Sequence, residues 1–165
     1  MVLETKHFGK IDYCEESIIK FDNGIPGFDH VKKFLLIDSP EENSIFKWLQ
    51  CIEDVQLAFA VVNPFQIKED YDFEIGDDDT KALGIEDPED VVVYSILVVP
   101  EDLAKVSMNL KAPIIINAKG RKGAQIVLDT DKYTVRHYIL DELRRREVAE
   151  NACSDEKKGS DDSHK

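Results

Sequence analysis

Cysteine is scarce in this 165-residue chain: Cys14, Cys51 and Cys153 stand far apart and form no Cys-x-x-Cys pair. An odd, dispersed set excludes a disulfide framework. It fits a reduced compartment in which Cys14 and Cys51 are ordinary small side chains and Cys153 is a free thiol on a tail. Long apolar runs are missing as well. Val91-Val92-Val93 and Ile114-Ile115-Ile116 fall far short of the roughly 20 residues that cross a bilayer, so no membrane partner is expected. Residues 1–7 lack a charged segment followed by an apolar one, so no secretory signal is visible and the chain reads as cytoplasmic. The four histidines (His7, His30, His137, His164) are scattered, with no HxH or HExxH spacing, and no GxSxG or Walker-type glycine loop occurs. No metal site, cofactor or catalytic residue is therefore assigned. Paired carboxylates carry no information where 34 residues are acidic.

Positive charge is also short: 21 Lys and Arg against 34 Asp and Glu leave a net charge of −13. Direct binding to nucleic acid is disfavoured, because such binders carry a basic footprint. The deficit is local. Eleven acids lie between Glu69 and Asp90 (Glu69, Asp70, Asp72, Glu74, Asp77, Asp78, Asp79, Glu86, Asp87, Glu89, Asp90) against Lys81 alone. As a calcium loop this belt fails in both registers. From Asp70 the glycine falls at position 7 and Lys81 at position 12; from Asp77, Ala82 stands at position 6 and Pro88 at position 12. The basic counterpart is Leu103 to Leu128, with Lys105, Lys111, Lys119, Arg121, Lys122 and no acid, so the molecule is electrically lopsided.

What the chain does contain is a series of short β-rich runs separated by turn residues. They are His7–Tyr13, Ser17–Phe21, Lys33–Ile37, Ile45–Leu49, Leu57–Val62, Tyr71–Ile75, Val91–Val98, Ile114–Asn117 and Ala124–Leu128. Pieces this short without intervening helices predict an all-β, mainly antiparallel domain, a compact barrel or sandwich with short helices. With 42% hydrophobic residues, the length suffices to bury about two thirds of the unfolded surface. Asp77–Leu83 reads as a helix, acids in its first turn and Gly84 as its αL cap. Asp141–Ala152 reads as a second helix with Glu142–Arg146 and Arg146–Glu150 pairs but a thin apolar face, frayed unless docked. Residues 1–140 are the expected β domain, and 141–165 a charged helix followed by a disordered tail after Cys153.

Three segments are more specified than plain turns. Gly24-Ile-Pro-Gly-Phe28 is a rigid loop, and Ile45-Phe-Lys-Trp48-Leu-Gln50 holds the sole tryptophan, read as core packing. Asn109-Leu-Lys-Ala-Pro113 is a stiff entry to a buried strand, in which Asn109 either satisfies backbone groups or meets a partner. Taken in order with their neighbours, these segments resemble the FliW family of bacterial flagellar assembly factors. The matching pieces are Phe21-Asp-Asn-Gly-Ile-Pro-Gly-Phe28, Phe46-Lys-Trp-Leu-Gln50, Leu57-Ala-Phe-Ala-Val-Val-Asn-Pro64 with Tyr71, Asn109-Leu-Lys-Ala-Pro-Ile-Ile-Ile-Asn117 and Gln125-Ile-Val-Leu128. Together they span roughly residues 3–140.

The free chain is expected to be a monomer, and the resemblance implies a non-enzymatic, compact β-barrel-like protein that binds two proteins in turn. These are flagellin, held before export, and CsrA, a basic RNA-binding repressor of flagellin mRNA. For CsrA the candidate residues are Glu69, Asp70, Tyr71, Asp72, Phe73, Asp77, Asp78 and Asp79. Acids would steer the encounter, and apolar anchors drawn from Phe28, Phe65, Tyr71 and Phe73 would supply the energy. For flagellin, whose termini form amphipathic helices, the candidates are Gly24, Ile25, Pro26, Gly27 and Phe28 with Asn109, Leu110, Ala112 and Pro113, chosen for the rigidity of those loops. The competing classes are an acidic hydrolase or metal-dependent enzyme and a self-assembling structural subunit.

Overall fold

In a computed structural model, residues 1–6, 8–39, 41 and 44–148 are described. In chain order the strands are β1 (Val2–Thr5), β2 (Gly9–Asp12), β3 (Ile19–Lys20), β4 (Lys33–Asp38), β5 (Phe46–Cys51), β6 (Ala58–Val62), β7 (Val91–Val98), β8 (Ser107–Met108), β9 (Ile114–Asn117), β10 (Lys122–Gln125) and β11 (His137–Tyr138). Two short helices, α1 (Pro64–Ile67) and α2 (Asp77–Leu83), lie between β6 and β7. Residues 139–148 are also helical.

Seven strands close into a barrel in the order β3-β4-β5-β6-β7-β9-β10, with β10 returning to β3. Each neighbour along this meander is antiparallel, and the closing β10–β3 contact at Lys122 and Lys20 is parallel. Parity requires this: alternating direction around an odd number of strands leaves the first and last pointing the same way. Strands β8 and β11 extend outward from β7, and the β1–β2 hairpin stands apart.

The barrel wall is buried on both faces along β7 and β9. Val92, Tyr94 and Ile96 of β7 and Ile114 and Ile116 of β9 point inward to Phe21, Phe34, Leu49 and Val61. The alternate residues Val91, Val93 and Ile115 point outward and meet Leu83, Phe73, Ile75 and Ile85. Two-sided burial explains why these strands read as unbroken apolar runs instead of alternating. A third cluster, on the outer side of β6 and β7, joins Val62 and Leu97 to Ile67, Tyr71, Leu110, Leu128, Tyr133 and Ile139.

The all-β expectation is met, and α2 spans Asp77–Leu83 with Gly84 in the left-handed region at φ 67°. Several local expectations differ. Tyr71–Ile75 joins no ladder. Its inside-outside alternation is present, with Tyr71, Phe73 and Ile75 turned to the barrel, but they pack as a strap across the wall without a pairing strand. The expected strand Ala124–Leu128 begins earlier, at Lys122, because the Asn117–Arg121 turn is tight. Ile126 and Leu128 still donate backbone hydrogen bonds to Pro113 and Lys111. Trp48 is half-buried on the barrel exterior, edge-to-face with Phe8 at 5.4 Å, and not in the interior. The two-residue strands β8 and β11 are too short to leave a pattern in the sequence, and β1, Val2–Thr5, is not among the expected strands. The expected end of the C-terminal helix beyond residue 148, the disordered tail, Cys153 and the histidines at 7 and 164 lie outside the described residues.

The Gly24–Phe28 loop is a type II turn. Phe28 N–H donates to Ile25 O, Pro26 occupies the second position, and Gly27 at φ 88° the third. Gly24 also has positive φ, and a Cβ there would stand 2.8 Å from Asp29 Cα.

Asn117, 4% exposed, ties α2 to the barrel. Its Nδ2 donates to Leu83 O (2.9 Å) and Gly84 O (3.1 Å), while Oδ1 accepts from the N–H groups of Lys119 (3.1 Å) and Gly120 (3.2 Å). Replacing it by Ala strands the buried Leu83 carbonyl and removes the bonds to the part-buried groups of Gly84, Lys119 and Gly120. Asn117→Ala is expected to lower unfolding free energy by about 2–4 kcal/mol, read as a reduced urea midpoint at unchanged slope. A change below about 0.5 kcal/mol would mean that water replaces the side chain.

Candidate functional site

The acidic belt crosses the outside of the barrel in three parts. It begins at the C-terminal end of α1, continues as the strap from Asp70 to Gly76, and passes through α2 to a 3-10 turn at Pro88–Asp90. Along the strap, burial alternates: Tyr71, Phe73 and Ile75 face the wall while Asp70, Asp72 and Glu74 are exposed. Apolar backing therefore fixes where the carboxylates stand. At α2, Asp77, Asp78 and Asp79 occupy the first turn, where the helix N-terminus favours negative charge, and Leu83 is the buried foot.

Aromatic rings form the core of the backing. Tyr71 meets Tyr133 edge-on at 4.6 Å and lies 5.2 Å from Phe73. Phe65 stacks on Phe73 at 6.4 Å and 13°. The Tyr71 hydroxyl donates to Leu110 O at 2.6 Å, and Tyr133 Oη both accepts from Asp72 N–H and donates to Asp72 O. Tyr71 is only 3% exposed, so it is an internal support and presents no surface; Phe65, at 38%, is the outward aromatic. Burial, reinforced by the neighbouring Tyr133, pushes the Tyr71 phenol well above its ordinary range.

The first acids of the belt are already partnered. Glu69 takes Arg146 at 2.7 Å, and Asp70 takes Lys68 at 2.9 Å, whose hydrogen bond holds the Asp70 carboxyl below the usual carboxylate range. Asp72, Glu74, Asp77 and Asp78 are exposed and have no ion pair among the described residues. The helical segment 139–148 is latched beside them. Glu142, 6% exposed, receives His137 at 2.9 Å and Lys68 at 3.4 Å. Arg146 also donates to Gln66 O and Ile67 O, satisfying the carbonyl end of α1. Among the described residues no group of three or more metal-ligating side chains converges, and no helix is long and apolar enough to cross a membrane.

The two flagellin candidate segments send side chains into different clusters. Ile25 packs inside the barrel, whereas Leu110 is fully buried in the outer cluster, and Ala112 and Pro113 are buried too. Asn109 Oδ1 accepts from Ala112 N–H at 3.0 Å, the backbone-satisfying role. Instead, the Gly24–Phe28 turn comes beside the belt. A cleft of about 210 Å³ is lined by Gly24, Pro26 and Asp29 on one side and by Asp79, Ala82 and Leu83 on another, with Lys122–Ile126 as its floor. Residues 126–133, which form the far bank of the strap, were not legible as part of the site.

The profile of the family described as FliW protein matches residues 2–139. A curated flagellar assembly factor FliW from Ruminiclostridium cellulolyticum is 55% identical over 148 residues, covering 90% of this chain and all of the relative. One from Alkaliphilus metalliredigens is 44% identical, covering 98% and 100%. A crystal structure of the flagellar assembly factor FliW superposes with a TM-score of 0.78 at 32% identity, over 84% of this chain and 96% of that one.

The Tyr71 shift has a sign that experiment can read. The fold favours the neutral phenol, so its contribution is complete below about pH 10, the unfolded value, and is lost as pH rises further. Tyr71→Phe should be about 1 kcal/mol less stable at pH 8 through the lost hydrogen bond, yet lose less stability than the parent between pH 9.5 and 11.5. An equal alkaline decline in denaturant titrations would mean that Tyr71 ionises freely in the folded chain.

Proposed function

The chain belongs to the FliW family of flagellar assembly factors, and from that premise we propose that it holds flagellin and, in alternation, captures the translational repressor CsrA. It does so as a cytoplasmic, monomeric, non-enzymatic protein. The observation that carries the alternation is the cleft in which the Gly24–Pro26 turn, a candidate for flagellin, abuts Asp79 of the belt, a candidate for CsrA. Two partners seated on adjoining footprints exclude one another.

The rest of the belt supports the CsrA half. Asp72, Glu74, Asp77 and Asp78, without an ion pair among the described residues, stand on a fixed backing, suited to steering a basic partner and repelling RNA from its neighbourhood. Phe65 and the edge of Phe73 provide apolar surface directly beside them, where an anchoring contact can form. Freed of flagellin, the chain would sequester CsrA and lift repression of flagellin mRNA.

Gel filtration of a preformed complex with CsrA, titrated with flagellin, tests this reading. Stoichiometric release of CsrA into its own peak is expected as flagellin binds. A stable ternary complex would refute alternation, and capture of neither protein would overturn the function.

A further inference from the structure

We infer that the groove between the strap and residues 126–133 is a slot into which an extended basic peptide docks by strand addition. This deepens the reading of the belt as a docking surface for a basic protein and rests on it.

Two open backbone edges border the slot. Phe73, Glu74 and Ile75 make no backbone hydrogen bond to any described residue, and neither does Val127 on the opposite bank. Val127 sits between Ile126 and Leu128, whose N–H groups are turned the other way, to Pro113 and Lys111. Since successive residues of an extended chain alternate their N–H direction, the free groups of Val127 point away from that pairing. Both banks are held rigidly from behind. Ile75 and Ile126 pack in one cluster over the barrel wall, and Phe73, Leu128 and Tyr133 in the next. Unpaired edges of this kind are templates for a further strand.

The lining selects the occupant. Two adjoining depressions of about 470 and 320 Å³ run along the groove, in the range of binding clefts, roughly 300–1,000 Å³. They are bordered by Asp72, Glu74, Asp77, Asp79 and Asp129 against Lys132 alone. An inserted strand with Lys or Arg at alternate positions would place its cations against these carboxylates and its main chain against the free edges. An acidic strand would leave the carboxylates unmatched, and a helical segment would leave the free edges unpaired.

The test uses the full chain and a capped octapeptide of alternating lysine and valine, with a second peptide of identical sequence N-methylated at two adjacent central residues. N-methylation keeps the charge and removes the donors. The parent peptide should bind, slow amide exchange at Val127 and at Glu74, whose N–H turns to the same side as that of Asp72, and bind at least about 10-fold more tightly than the methylated form, as loss of two main-chain hydrogen bonds implies. Equal binding of the two peptides, or binding without slowed exchange at those amides, would overturn strand addition. Failure of both peptides to bind a chain that still captures CsrA would overturn the slot and leave the wider reading standing. Loss of CsrA capture itself would sink that reading.

Discussion

Four hydrogen bonds converge on the Asn117 side chain, and the arrangement of the acidic surface depends on them. Two clamp the C-terminal carbonyls of α2, and two close the turn that leads into β10. One buried amide thereby joins the most acidic element of the chain to the strand pair that closes the barrel. Without it, α2, only seven residues long and lacking a side-chain N-cap, would be held chiefly by its buried foot, Leu83.

The same dependence runs through the apolar residues of the belt. A wall buried on both faces needs an outer cover, since Val93 and Ile115 would otherwise face water. Phe73, Ile75, Leu83 and Ile85 supply that cover, and the carboxylates between them are left with no direction but outward. Charge display is thus a consequence of packing. The belt is at once a structural cover and the most strongly charged face of the protein, which lets a mobile-looking acidic stretch present a fixed pattern. The latch of Arg146 on Glu69 and α1 neutralises one end of the belt, while Asp72, Glu74, Asp77 and Asp78 have no ion pair among the described residues.

Much of this was legible in the residues. The unbroken runs Val91–Val98 and Ile114–Asn117 announced strands, and three acids followed by Gly84 announced α2 and its cap. Other features were not, for physical reasons. Alternation at Tyr71–Ile75 reports that one face is buried, not that a neighbouring strand pairs with it, so a strap and a strand look alike in sequence. Tyr71 carried the marks of a surface anchor, yet its hydroxyl finds Leu110 O, 39 positions away, and the ring turns inward. Asn109–Pro113 reads as a stiff entry to a buried strand, but stiffness says nothing about exposure, and the segment is turned inward with Asn109 satisfying Ala112 N–H. The far bank at residues 126–133 depends on long-range register that short-range patterns do not encode.

Neutralising the helix-borne part of the belt tests the central claim, that packed apolar residues hold a charge pattern which draws in a basic partner. Association of CsrA with the Asp77→Asn, Asp78→Asn, Asp79→Asn triple variant should be followed by stopped flow across ionic strengths. The account predicts an association rate several-fold lower at low salt, a flatter dependence on salt, and a nearly unchanged dissociation rate. An association rate and salt slope identical to those of the parent chain would contradict it.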